Sequence, residues 1–342
     1  MEKVKVENAV GHIVSHDMTR IVAGSVKEVA FPKGHIIKES DIPLLKSMGK
    51  ENVYIGCISE GSVHEEEAAL RIATAAFSQD DFQISTLSEG KVNLLSKHDG
   101  IFCVDVEKLN FINEIDHVTL CTIYNNTPVS KGQKVASTRI IPLFTDEKNI
   151  EQVEKLCNEH QIFKLMRYIP QSVHMLITGS EIHNGIIKDK SYDIINPKVL
   201  ALNSNISRKV IVRDDKELLK REIQLSIEEG ADIIICVGGM SVDADDVTPL
   251  AIGEIADEVV TQGTPIQPGN MFLLAYNKDT PILGLPAGTI FFKTTVFDVV
   301  FPLIACKNRL TEKFFIKLSH GGLCHFCKVC KYPNCTYGKG AF

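Results

Sequence analysis

The chain has 342 residues, a formal net charge of −6, 44% hydrophobic residues and 23% charged residues. That length is too great for one ordinary core and the composition is globular, so two or three domains are expected. The acidic balance argues against a non-specific nucleic-acid surface, and no apolar run is long enough to span a bilayer. The opening residues Met1-Glu2-Lys3-Val4-Lys5-Val6-Glu7 lack the apolar core of a signal peptide, which makes the cytoplasm the expected location.

In chain order, residues 1–60 read as a β-rich region. Its short runs are Ile13-Val14, Val26 to Phe31 and Val53-Tyr54-Ile55. Ser40 or Asp41 can cap a short helix that ends at Gly49. Residues 61–160 read as a small α+β domain. It holds a helix from His64 to Phe77 with Leu70, Ala73, Ala76 and Phe77 on one face, strands from Gly100 to Val106 and His117 to Tyr124, and a charged linking helix from Glu147 to Glu159.

Across residues 165–308 strands and helices alternate. Strands are expected at Ser172 to Ile177, Lys209 to Val212, Ala231 to Val237, Met271 to Tyr276 and Ile282 to Leu285. Helices are expected at Asn196 to Asn203 (starting at Pro197), Lys216 to Glu229, Asp246 to Asp257 and Ala287 to Ile304. The pattern implies an α/β fold with a mostly parallel, doubly wound sheet, which binds ligands outside the carboxyl ends of its strands. Residues 318–342 form a Cys-rich tail.

Three strand-to-helix loops fall at such ends: Thr178-Gly179-Ser180-Glu181, Gly238 to Asp246, and Gly284-Leu285-Pro286-Ala287-Gly288-Thr289. Pro268-Gly269 adds a fourth edge. Glycine lets backbone approach a ligand, and unpaired N–H groups favour an anion. The carboxylates Asp243, Asp245 and Asp246 would repel that anion unless a cation such as Mg²⁺ lay between, or they serve instead as helix caps.

In this order the loops resemble the motifs of the molybdopterin-binding domain found in molybdopterin adenylyltransferases and molybdotransferases. The resemblance covers about residues 170–305, and residues 1–60 resemble a molybdotransferase accessory region. It implies an α/β fold holding molybdopterin or its adenylate, with Mg²⁺ and molybdate as further partners and a homodimeric assembly. Carried over by position, Gly238, Gly239 and Ser241 would cradle the phosphate. Asp246, Asp243 and Glu181 would face the metal or reacting groups, and Thr178, Gly179, Ser180, Pro268, Gly269, Leu285 and Pro286 would line the site. Two departures stand against catalysis: Gln267-Pro268-Gly269-Asn270-Met271 lacks the usual basic residue, and Leu285-Pro286-Ala287-Gly288-Thr289 replaces Leu-Pro-Gly-Asn-Pro. Lys293 is the candidate replacement cation, and His183 is the one histidine marked, for its place beside Glu181. A molybdotransferase-like enzyme and a non-catalytic pterin carrier or sensor both remain open.

Of 10 cysteines, Cys57, Cys103, Cys121, Cys157, Cys236 and Cys306 sit among apolar residues and read as buried thiols. Cys324, Cys327, Cys330 and Cys335 follow a C-x₂-C-x₂-C-x₄-C spacing, which points to a soft metal. Zinc and an iron–sulfur cluster both remain open; the run is one residue off the C-x₂-C-x₂-C-x₃-C ferredoxin spacing. So short a segment is expected to need its metal to fold.

Overall fold

The computed structural model describes residues 2–55, 60–159, 161–243 and 246–340. Asp245, Cys57 and His160 lie outside them. The chain forms two compact units. The first comprises Met1–His98, Phe102–Asn125 and Val129–Leu165; the second comprises Asp99–Ile101, Asn126–Pro128 and Met166–Phe342. No helix among the described residues is long and apolar enough to cross a membrane.

The first unit holds two cores. Val6, Val14, Phe31, Leu45 and Val53 centre one, under the strand pairs Glu2–Lys5 with Asn52–Ile55 and Met18–Val22 with Val26–Phe31. The other gathers around the helices Glu65–Ala76 and Glu147–Glu159. The buried face of the former is Ala68, Ala69, Ile72, Ala73 and Ala76; Leu70 is 41% exposed, so the expected stripe is rotated. The fully buried Ile72 alone contributes about 2 kcal/mol. Glu147–Glu159 is not merely a linker. It buries Ile150, Val153 and Cys157, while Arg71 forks onto Glu154 at 2.8 and 2.9 Å and reaches Glu147 at 2.6 Å.

The second unit is an α/β domain. Its strands are β1 (Ser172–Thr178), β2 (Asn205–Val212), β3 (Ile233–Val237), β4 (Glu258–Gln262), β5 (Leu273–Asn277) and β6 (Thr280–Leu285). They form one sheet in the order β2-β1-β3-β6-β5-β4. The pairs β1–β2, β1–β3 and β3–β6 are parallel, and β5–β6 and β4–β5 are antiparallel. The sheet is thus parallel where the sequence alternates with helices, and its far edge is a hairpin. On one face Leu176, Ile234 and Cys236 pack against Leu219 and Ile223 of helix Lys216–Glu228 and Ala251 and Ile252 of helix Thr248–Ile255. The pleat sends the buried Met175, Ile177, Ile233 and Ile235 to the other face.

Three expectations are corrected. The helix placed from Pro197 runs instead over Ser191–Leu200, because the Asp189 carboxylate accepts the Ser191 N–H at 2.8 Å and starts it earlier. The long helix from Ala287 is broken into Gly288–Phe291 and Val296–Ala305. There the Thr295 N–H donates to Asp298 at 2.8 Å, and Lys198 bonds both Asp298 and the Lys293 carbonyl, which fixes a fresh helix start. The helix expected from Asp246 to Asp257 begins only at Thr248, with Pro249 in its first turn, and the edge strand β4 follows it.

Candidate functional site

At the carboxyl ends of β1, β3 and β6 the backbone is tightly interlocked. Gly238 and Gly239 both have left-handed φ values, +96° and +58°. A Cβ on Gly238 would lie 2.6 Å from the Thr178 carbonyl oxygen, so only glycine fits. Gly238 donates to the Leu285 carbonyl at 3.2 Å, and Gly179 to that of Val212 at 3.2 Å. Thr248 donates its hydroxyl to the Gly238 carbonyl at 2.9 Å, and Thr178 donates to that of Val237 at 3.2 Å. These bonds hold the Gly-Gly turn rigid while the backbone N–H groups of Gly239, Met240 and Ser241 bond no described residue. Successive free N–H groups in such a turn form a concavity for an anion.

The turn opens on a pocket of about 460 Å³. Gly239, Ser241 and Asp246 line it together with Pro268, Gly269, Pro286 and Gly288, and Met271, Phe292 and Phe326 add apolar lining. None of the described residues lining it is lysine or arginine, so an anion there would be held by amide dipoles and by any cation it brings. Asp246 is half-buried and accepts the Asp243 N–H at 3.2 Å, while its own N–H donates to the Asp243 carbonyl at 3.0 Å. One carboxylate on the wall suits Mg²⁺, which takes one or two carboxylates together with phosphate oxygens. A hollow of about 410 Å³ opens around Asp232, Tyr276 and Arg309, at the opposite end of β3. The carboxyl end is where sheets of this type bind ligands.

The other expected residues fall elsewhere. Thr178, Gly179 and Leu285 are buried beneath the turn and support it. Ser180 is bonded to Asp214: its N–H donates to the carboxylate at 2.7 Å, and its hydroxyl accepts the Asp214 N–H at 3.3 Å. Glu181, Asp243 and His183 are exposed, and none lines this pocket. Lys293 also lies outside it; it lines a neighbouring pocket with the tail cysteines. The sequence reading missed Asp214, Thr248, Phe292 and Phe326. Thr248-Pro249 is a helix-start signature that could have drawn attention to the first hydroxyl.

The cysteines divide more finely than expected. Cys157 and Cys236 are buried, and burial pushes each thiol up to about 12. Cys121 is exposed, and Cys103 and Cys306 are half-buried. Cys324, Cys327, Cys330 and Cys335 line one pocket. Among the described residues no three His, Cys, Asp or Glu side chains are gathered so as to hold a metal ion.

Residues 174–305, less than half of the chain, match the family described as "Probable molybdopterin binding domain". Residues 3–56 match a domain of unknown function. A protein of Methanocaldococcus jannaschii named "Putative molybdopterin biosynthesis protein" is 35% identical over 107 residues, covering 31% of this chain and 26% of that protein. A CinA-like protein of Colwellia psychrerythraea is 31% identical over 148 residues, covering 43% of this chain and 33% of that protein. The chain thus spans about a quarter to a third of the length of these curated relatives. The solved structure of the molybdopterin biosynthesis enzyme MoaB of Thermus thermophilus is 24% identical, covers 39% of this chain and 91% of its own, and superposes with a TM-score of 0.35. Through residues 174–305 the chain carries a domain of the molybdopterin-binding family and is related to proteins of molybdenum-cofactor biosynthesis.

Proposed function

We propose that the second unit binds a phosphorylated pterin of the molybdopterin class in the 460 Å³ pocket. The observation that carries this reading is the Gly238-Gly239 turn: Gly239, Met240 and Ser241 line the pocket, and their N–H groups bond no described residue, which leaves them for an anion. The rings of Phe292 and Phe326 in the lining supply flat faces for a ring system, so the pocket suits a ligand that carries both phosphate and an aromatic ring. Asp246 is the residue that would hold Mg²⁺, with Asp245 next to it and Asp243 three residues before it in the chain. The ion would offset the phosphate charge that no lysine or arginine of the described lining meets.

Two versions of this reading differ in chemistry. In the first the protein is molybdotransferase-like, taking adenylylated molybdopterin and molybdate and assembling as a homodimer. In the second it carries or senses the pterin without turnover. The absence of lysine and arginine from the described lining favours the second, since a leaving phosphate or an entering molybdate is a developing anion that fixed cations stabilise. Purified protein titrated with molybdopterin, with and without Mg²⁺, tests binding through pterin fluorescence. Turnover of adenylylated molybdopterin with molybdate then separates the versions. Tight binding without turnover selects the carrier, and no binding of either pterin overturns both.

A further inference from the structure

The tail cysteines are not explained by pterin binding, and their surroundings are distinctive. Residues 319–340 are tied to the α/β domain. The Gln267 N–H donates to the Gly322 carbonyl at 2.8 Å, and the Cys324 N–H donates back to the Gln267 carbonyl at 2.9 Å. Tyr337 donates to the Pro268 carbonyl at 2.9 Å and Tyr332 to that of Asp298 at 2.8 Å. A Cβ on Gly338 would lie 2.7 Å from Val299, so the tail is pressed against helix Val296–Ala305. These contacts pack against the domain a segment so short that its sequence is expected to need its metal to fold.

Within this frame the four thiols line a hollow of about 190 Å³, walled by Phe292, Phe326 and Tyr337. Its form separates two kinds of metal centre. Four sulfurs on one Zn²⁺ sit about 2.3 Å from the ion, and tetrahedral geometry then puts them about 3.8 Å apart. No such convergence of three ligands exists among the described residues. The four cysteines instead line a space of about 190 Å³, more than ten times the ~15 Å³ that a single water-sized occupant needs. A cubane cluster calls for room of this kind between its cysteines, since each cysteine binds a different iron and the inorganic core fills the middle.

The sulfurs also have donors. Phe326, held at φ +50°, donates its N–H to Cys324 Sγ at 3.4 Å. Thr294 Oγ1 lies 3.1 Å from Cys330 Sγ, and its hydroxyl donates once that sulfur is a thiolate. Lys293 and Lys331 add positive charge to the wall. Hydrogen bonds to sulfur and a largely apolar shell are the features that hold and tune such clusters.

We infer that Cys324, Cys327, Cys330 and Cys335 hold a [4Fe–4S] cluster in this hollow. The full chain, made metal-free and handled without oxygen, is supplied with equal ferrous and ferric iron and with sulfide. That mixture balances as [4Fe–4S]²⁺ with no added oxidant. The expected product retains about four irons and about four acid-labile sulfides per chain after desalting. It should show a broad visible absorption that fades on reduction with dithionite. Cys327→Ser and Cys335→Ser lose the absorption, whereas Cys121→Ser keeps it. One tightly bound zinc displacing iron without sulfide, or no retained iron in the unaltered chain, overturns the inference even where a serine variant fails to fold. None of these readouts depends on pterin binding.

Discussion

Gly239 and Thr248 are packed so closely that a Cβ on the glycine would lie 2.6 Å from the Thr248 hydroxyl oxygen. That hydroxyl is already engaged, donating to the carbonyl of Gly238 at 2.9 Å. The hydroxyl at the head of helix Thr248–Ile255 therefore fixes the turn that lines the pocket.

Gly239→Ala should accordingly damage both stability and binding. The left-handed φ of +58° and the clash together should cost about 1–3 kcal/mol, read by chemical denaturation. Pterin affinity should fall by more than about tenfold, because reorienting one N–H forfeits a hydrogen bond to charge of about 1.5–3 kcal/mol. Gly230→Ala is the control: its φ is +79° with open space around it, so it loses stability without losing affinity. Equal loss of affinity in both variants would remove the turn from the site.

Asp246→Asn separates structural from metal-binding carboxylate. Asparagine keeps an oxygen to accept the Asp243 N–H, so the loop and the thermal midpoint should be retained. The Mg²⁺-dependent gain in pterin affinity should fall by about tenfold, since Mg²⁺ relies on one or two carboxylates plus phosphate. Glu181→Gln, at an exposed position outside the pocket, should bind as the unaltered protein does. A Glu181 effect equal to that of Asp246 would show that the two loops close on one ion.

How much of this was legible in the sequence depends on range. The β/α alternation, the three glycine loops and helix Glu147–Glu159 are written in local patterns, and the loops fall at strand ends as read. Which loop residues line the candidate pocket is decided by tertiary hydrogen bonds. Asp214 claims Ser180 from 34 positions away, and buried Thr178 turns its hydroxyl to Val237. The break before Val296 was hidden for the same reason: an apolar run favours helix, but the Lys198–Asp298 pair comes from another element. Phe326, within the cysteine run, reads as part of a metal loop, and only the fold shows that it also lines the candidate pocket.

In the first unit, Glu154→Gln tests the Arg71 fork. The Arg71 hydrogen bonds hold the Glu154 carboxyl below its ordinary value, and the Arg71 and Glu154 side chains are 26% and 33% exposed. After allowance for solvent screening the substitution should cost about 0.5–1 kcal/mol near neutral pH. A depressed carboxylate stabilises above its unfolded value of about 4.3 and loses that contribution as pH falls through its folded value. Denaturation curves of the two proteins should therefore differ at pH ~7 and draw together toward pH ~3. A difference that persists in acid would mean that packing, not charge, was lost.

The candidate pocket and the cysteine hollow share Pro268, Phe292 and Phe326, and the rings of Phe292 and Phe326 are 5.7 Å apart. Phe326→Ala should therefore disturb both. Removing this ring takes apolar contact from the pterin side and should weaken binding by about three- to tenfold, as expected for roughly 1 kcal/mol of lost aromatic contact. On the other side it opens the hollow, and alkylation of the tail thiols in metal-free protein should quicken. In the unaltered protein bound pterin should slow that alkylation, because the ring wall is then covered from the ligand side. Thiol labelling followed by peptide mapping reads each cysteine separately, with exposed Cys121 as the internal reference. If Phe326→Ala changed labelling at Cys121 as much as at Cys324, the effect would be general loosening. A change confined to the tail would show that one aromatic wall links the two pockets.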